Sequence, residues 1–131
     1  MAHIAVVDDK EILRDSLSTA LAREDHSVVT FADPVEALAG IKGGAFDVIL
    51  LDLKMPRMDG LTFIREIRAG GCDTPIIVMT AFATVATAVE AMKLGAFDYV
   101  QKPFEVDTIA VLIERAIEHA RLAAAIAAVA A

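Results

Sequence analysis

The chain has 131 residues, a formal net charge of −7, 56% hydrophobic residues and a mean hydropathy of +0.57. That length fits one domain with a core of its own. The acidic balance argues against direct nucleic-acid binding, which needs clustered Lys and Arg, and no apolar run approaches the roughly 20 residues of a membrane helix.

His3-Ile4-Ala5-Val6-Val7 is a short apolar run that ends in Asp8-Asp9. Ile12, Leu13, Ser16, Leu17, Ala20 and Leu21 then recur at helical spacing, predicting a helix from Glu11 to Arg23 with Asp9 or a neighbour as its cap. Val28 to Phe31 is a second strand. Asp33-Pro34 supplies an N-cap acceptor and a proline at the first helical position. That helix, through Leu38 and Ile41, is expected to stop at Gly43-Gly44 through the left-handed conformation glycine tolerates.

Phe46-Asp47-Val48-Ile49-Leu50-Leu51-Asp52 is the third strand, an apolar run closed by a carboxylate. Pro56 and Asp59-Gly60 make the following stretch a loop. Leu61, Phe63, Ile64 and Ile67 mark a helix ending at Gly70-Gly71. Pro75 to Met79 is a strand ending in Thr80, and Thr84 to Leu94 a helix with a narrow apolar stripe of Val85, Ala88, Val89 and Met92. Gly95 leads into a fifth strand, Phe97 to Val100, which ends at Gln101-Lys102-Pro103. Gly44-Ala45-Phe46-Asp47 and Gly95-Ala96-Phe97-Asp98 read as one local solution used twice, a glycine helix stop before a buried strand. The single cysteine, Cys72, lies in a Gly70-Gly71-Cys72-Asp73 turn, which leaves no disulfide framework or thiolate metal site. His3, His26 and His119 are scattered and read as incidental surface or strand-edge residues.

In the last helix, Ile109, Leu112, Ile113, Ala116, Ile117 and Ala120 share one face. Leu122, Ile126 and Val129 fall on roughly the opposite side with Val111, and residues 122–131 carry no charge. The expected division is a domain over 1–121 and an alanine-rich extension or start of a linker over 122–131. Its exposed apolar face is expected to mediate a homodimer through the C-terminal helices.

Five strands alternating with five helices imply a parallel sheet covered on both faces, with right-handed crossovers and a crevice beyond the carboxyl ends of the strands. The strands deliver Asp8, Asp9, Asp52, Thr80 and Lys102 to that edge. Three packed carboxylates repel one another unless cations compensate. Lys102 and a divalent ion would balance them, and a donor set of hard oxygens suits Mg²⁺. Asp52 is then a candidate nucleophile toward phosphorus, with Lys102 stabilising charge and Thr80 adding a hydroxyl donor.

Taken together, Val7-Asp8-Asp9, the run from Leu51-Asp52 to Asp59-Gly60, Met79-Thr80-Ala81, Ala96-Phe97-Asp98-Tyr99 and Gln101-Lys102-Pro103-Phe104 resemble the receiver domain of bacterial two-component response regulators. The likeness is greatest to the nitrogen-regulation branch of sigma-54-dependent activators. It implies a flavodoxin-like (βα)5 three-layer sandwich with a five-stranded parallel sheet of order 2-1-3-4-5. It also implies Asp52 as phosphoacceptor, Mg²⁺ held by Asp8, Asp9, Asp52 and the Lys54 carbonyl, Thr80 and Lys102 on the phosphoryl group, Thr80 and Tyr99 as the switch, and a cis Lys102-Pro103 peptide. The implied partner is a sensor histidine kinase or phosphotransfer protein, in the cytoplasm and with no membrane or nucleic-acid contact by this domain.

The phosphoryl group adds a charge of about −1.5 to −2 while esterification removes that of Asp52, so the signal is expected to travel through Thr80 and Tyr99 to the fourth helix and fifth strand. Phe82 and Lys54 flank the path of attacking water, and a bulky Phe82 is expected to slow hydrolysis. A haloacid-dehalogenase-type phosphatase would need an acid where Lys54 stands. A flavodoxin-type electron carrier would need a Ser/Thr/Gly-rich loop where Asp8-Asp9-Lys10 stands. A degenerate receiver acting only as a docking or dimerisation module is the remaining alternative.

Overall fold

In the computed structural model the described residues are 2–81 and 84–130. Strands and helices alternate as β1 (His3–Val7), α1 (Glu11–Arg23), β2 (Ser27–Phe31), α2 (Pro34–Gly43), β3 (Val48–Asp52), α3 (Gly60–Ala69), β4 (Ile76–Thr80), α4 (Val85–Lys93), β5 (Asp98–Gln101) and α5 (Val106–Ala130). All strand pairs are parallel, and the sheet order is β2-β1-β3-β4-β5, as the resemblance implies.

β3 and β4 are buried on both faces, and their side chains alternate between two cores. Ile49, Leu51, Ile76 and Val78 meet Ala37 and Ile41 of α2, Phe63, Ile64 and Ile67 of α3, and Ala91 of α4. Val48, Leu50, Ile77 and Met79 meet Leu17 and Leu21 of α1 and Ile109, Leu112, Ile113 and Ala116 of α5. The continuous apolar runs of the sequence are therefore strands between two helical layers.

Helix ends follow the side-chain chemistry in three cases. Asp33 accepts the Val35 N–H, Asp59 accepts the Thr62 N–H, and Thr84 forms a reciprocal capping box with Thr87. α1 departs from expectation. Its N-cap is Lys10, with no side-chain cap, because Asp9 is engaged elsewhere and Asp8 instead accepts the Lys10 N–H at 2.8 Å.

The two glycine-alanine-phenylalanine-aspartate stretches also differ. Gly95 takes the left-handed φ of +102°, whereas Gly44 is extended at φ −114°. Glycine at 44 answers a close approach, since a Cβ there would lie 2.9 Å from the Phe46 ring and 3.1 Å from the Gly40 carbonyl oxygen.

α4 carries the apolar stripe that its spacing marked, a spacing that leaves open which way the stripe faces. Its apolar stripe faces outward, with Val85 83% exposed and Val89 and Met92 also exposed, and Ala91 is its one buried residue. The small side chain of Ala91 faces the core and the larger ones are left outside. His26 is no surface residue: its Nδ1 accepts the Ala2 N–H at 3.0 Å, and the side chain is nearly buried.

Gly60 holds the loop that follows Asp52 against the strand end. Its N–H donates to the Leu53 carbonyl at 2.8 Å, and a Cβ would stand 2.6 Å from Leu53 Cα and 2.9 Å from the Asp52 carbonyl oxygen. Alanine in an open helix gains about 1 kcal/mol over glycine. Here the obstructing atoms are backbone, so Gly60→Ala is expected to destabilise by about 3 kcal/mol. A lower urea midpoint at unchanged slope is the expected reading, and a midpoint equal to or above that of the wild type would show that the loop yields freely.

Candidate functional site

At the carboxyl edge of the sheet, β1 and β3 lie side by side, and Asp8, Asp9 and Asp52 each bring a carboxylate oxygen within 4.8 Å of the other two. Asp8 is fully buried and Asp52 nearly so, at 0% and 4% exposed. Lys102, just beyond β5, donates from Nζ to Asp8 Oδ2 at 2.8 Å and lies 3.4 Å from Asp52 Oδ2. Its own backbone N–H donates to the Thr80 carbonyl at 2.8 Å, which fixes where the side chain starts. The Lys102-Pro103 peptide is cis.

The β1–α1 loop is tied from both sides. Asp8 Oδ1 accepts the Lys10 N–H, and the Arg14 guanidinium donates to the Asp8 carbonyl at 2.9 Å. Asp9 faces outward, and Lys10 Nζ donates to both of its oxygens at 3.1 and 3.2 Å. That hydrogen bond holds the Lys10 ammonium above its ordinary range. The Lys54 N–H donates to Asp52 Oδ1 at 3.3 Å.

Burial, and after it the neighbouring Asp8 carboxylate, push the Asp52 carboxyl above the usual carboxylate range, against the pull of Lys102 and the Lys54 N–H. The pocket holds more negative charge than its one inner lysine can offset.

Asp52, Lys10, Lys54 and Lys102 open onto a cleft of about 540 Å³ whose apolar wall is Ile12, Leu13, Ala81, Pro103 and Phe104. Thr80, buried at 1% exposure, lines the neighbouring cleft of about 380 Å³ with Met55, Asp59, Arg65 and Thr87. Tyr99 stands apart from both. It is 40% exposed and lines an outward groove with Val85, Ala88, Val89 and Met92. The carboxylates and Lys102 are therefore together, Thr80 borders them, and Tyr99 lies on the α4–β5 face. Phe82, expected to slow hydrolysis, lies outside the described residues.

Sequence reasoning passed over Lys10, although its place beside two acids that end a strand is a visible signal.

Three carboxylates with oxygens this close form a donor set of hard ligands that fits a divalent cation such as Mg²⁺. Among the described residues, no helix is long and apolar enough to cross a membrane.

Residues 4–114 match the response regulator receiver domain family. The chain belongs to that family, whose members bind Mg²⁺ at an acidic pocket. It is 42% identical over 114 residues to the DNA-binding transcriptional regulator NtrC of Salmonella typhimurium, covering 87% of this chain and 24% of that protein. It is 41% identical over 122 residues to the transcriptional regulatory protein FixJ of Bradyrhizobium diazoefficiens, covering 93% of this chain and 60% of that one. The solution structure of the beryllofluoride-activated NtrC4 receiver domain dimer superimposes with a TM-score of 0.86 at 39% identity, covering 91% of this chain and 98% of that one. The chain thus spans a quarter to three fifths of the length of these curated relatives.

The raised pKa of Asp52 has a definite sign in stability. The folded, metal-free protein keeps the Asp52 proton to higher pH than the unfolded chain does, so stability falls as pH rises from the ordinary value of 3.8 through the folded value. The penalty grows from pH 3.8 upward and is complete above the folded value. Asp52→Asn is expected to raise the melting temperature in EDTA at pH 7 by a few degrees and to lose that advantage below pH 4. A variant that melts at or below the wild-type temperature at pH 7 would contradict the electrostatic account.

Proposed function

We propose that the chain accepts a phosphoryl group on Asp52 from a phosphohistidine of a sensor histidine kinase or phosphotransfer protein, in a Mg²⁺-dependent transfer. The observation that carries the reading is the convergence of Asp8, Asp9 and Asp52 on Lys102, with Lys102 Nζ between the Asp8 and Asp52 carboxylates.

Asp8, Asp9, Asp52 and the Lys54 carbonyl would hold the ion. Bound there, it supplies positive charge that favours the ionised Asp52 and offsets charge on the transferring oxygens. In the transfer, the phosphorus–nitrogen bond to the imidazole breaks as a phosphorus–oxygen bond to Asp52 forms, and the donor histidine leaves with the electron pair. Lys102, held by Asp8, is placed to meet the phosphoryl oxygens at a point fixed before reaction.

The apolar wall of Ile12, Leu13, Pro103 and Phe104 beside Asp52 gives the donor protein a surface on which to seat its histidine. Thr80 and Tyr99 are assigned the outward signal, from Thr80 at the end of β4 to the α4–β5–α5 face where Tyr99 stands. The domain is a signalling phosphoacceptor that assists its own phosphorylation and dephosphorylation, placed in the cytoplasm with that kinase.

Incubation with acetyl phosphate and Mg²⁺ is expected to add one phosphoryl group by intact mass. The adduct should be absent in Asp52→Asn and in EDTA. No adduct at any Mg²⁺ concentration would favour a receiver used only for docking or dimerisation.

We also assign residues 1–121 to the receiver and 122–131 to a helical extension or start of a linker that pairs two copies. α5 runs on to Ala130, with Leu122, Ile126 and Val129 exposed on a last stretch that carries no charge, and an exposed uncharged helix end of that kind is poorly suited to water. Sedimentation is expected to show concentration-dependent dimers that weaken on deleting residues 122–131. A monomer at high concentration, unchanged by the deletion, would refute the pairing.

A further inference from the structure

Lys10, whose side chain reaches the carboxylate cluster, carries a charge that has no part in the transfer just described. Its backbone is fixed, since its N–H is held by Asp8 Oδ1 at 2.8 Å and its carbonyl accepts the Arg14 N–H at 3.1 Å. Only the side chain is left to move. That side chain is two-thirds exposed and places Nζ against both oxygens of Asp9, the outermost of the three clustered carboxylates.

With Lys10 and Lys102 both in place, three carboxylates face two ammonium groups, and the pocket is within one charge of balance. A divalent ion with Lys102 alone balances the carboxylates completely, and the same ion with Lys10 still on Asp9 leaves an excess positive charge beside it. Ion and ammonium thus contend for the same oxygens.

We propose that Lys10 is an internal counter-cation that competes with the divalent ion for Asp9 and so weakens the affinity of the pocket for metal. The inference rests on the reading of Asp8, Asp9 and Asp52 as the metal site and deepens it. Lys10 occupies Asp9 when metal is scarce and must swing away on its own side-chain rotors when metal binds. The dependence of phosphorylation on Mg²⁺ is then set in part by a residue that ligates nothing. Because Lys10 is largely in solvent, the competition is modest in size and sensitive to salt.

Calorimetric titration of the whole chain with MgCl₂ at low ionic strength tests this, comparing wild type, Lys10→Gln and Lys42→Gln. Lys42 is exposed in the last turn of α2, at the opposite edge of the sheet, and controls for loss of a positive charge anywhere on the protein. Lys10→Gln is expected to bind Mg²⁺ about threefold to tenfold more tightly than wild type, with the gap narrowing in 0.5 M salt, at about a 4 Å Debye length. Lys42→Gln is expected to match wild type. Affinity that is unchanged or weaker in Lys10→Gln, or an equal gain in Lys42→Gln, overturns the proposal while leaving the metal site intact. A wild-type protein that takes up no Mg²⁺ refutes the metal site itself, and the role of Lys10 with it.

Discussion

The ion pair between Lys102 and Asp8 joins the first strand of the sheet to the end of the last. The two residues are 94 positions apart, and β1 and β5 are separated by β3 and β4, about 14 Å at ordinary strand spacing. A lysine spans that gap only because it starts beyond the strand end, from a backbone pinned to Thr80. Such a pair adds little net stability, since both charges lose water, but removing one partner strands the other and costs about 3–5 kcal/mol. With Asp8 fully buried, the geometry around Asp52 therefore depends on Lys102 being present and charged.

Much of this arrangement is legible in the sequence. The apolar runs ending in Asp8, Asp52 and Thr80 fixed the strands, because a run that short and that apolar has to lie between two layers. The strand order itself came from the resemblance, since alternation alone does not choose which strands are neighbours. What stayed hidden was direction. The stripe of Val85, Ala88, Val89 and Met92 correctly marks one face of α4, yet periodicity tells which residues share a face and is silent on which face meets the sheet. There Ala91 is the residue turned to the core. The glycine stops misled for a related reason: Gly44 and Gly95 sit in matching words, but one answers a neighbouring ring and the other a left-handed turn.

The site was legible in its acids and less so in its cations. Carboxylates at strand ends stand out because buried strands otherwise carry none. Lys10 does not stand out, because a lysine at a helix start has an ordinary surface reading, and its hold on both Asp9 oxygens is a matter of three-dimensional placement. The same holds for Arg14, whose contact with the Asp8 carbonyl steadies the loop.

On the proposed reading, a signal must leave Asp52 through side chains. β4 and β5 are locked in register, with Thr80 opposite Gln101 and Val78 opposite Tyr99, and the Lys102 N–H continues the ladder past the strand end. Sliding one strand would break that ladder and displace Lys102 from Asp8, undoing the pocket that received the phosphoryl group. Rotation of Thr80 and Tyr99 has no such cost. It acts on a helix that buries one alanine and leaves Val85, Val89 and Met92 in solvent beside Tyr99. The weakest-packed helix of the fold thus lies next to the residue assigned to the switch, where a small rearrangement changes the most exposed apolar surface for the least lost packing.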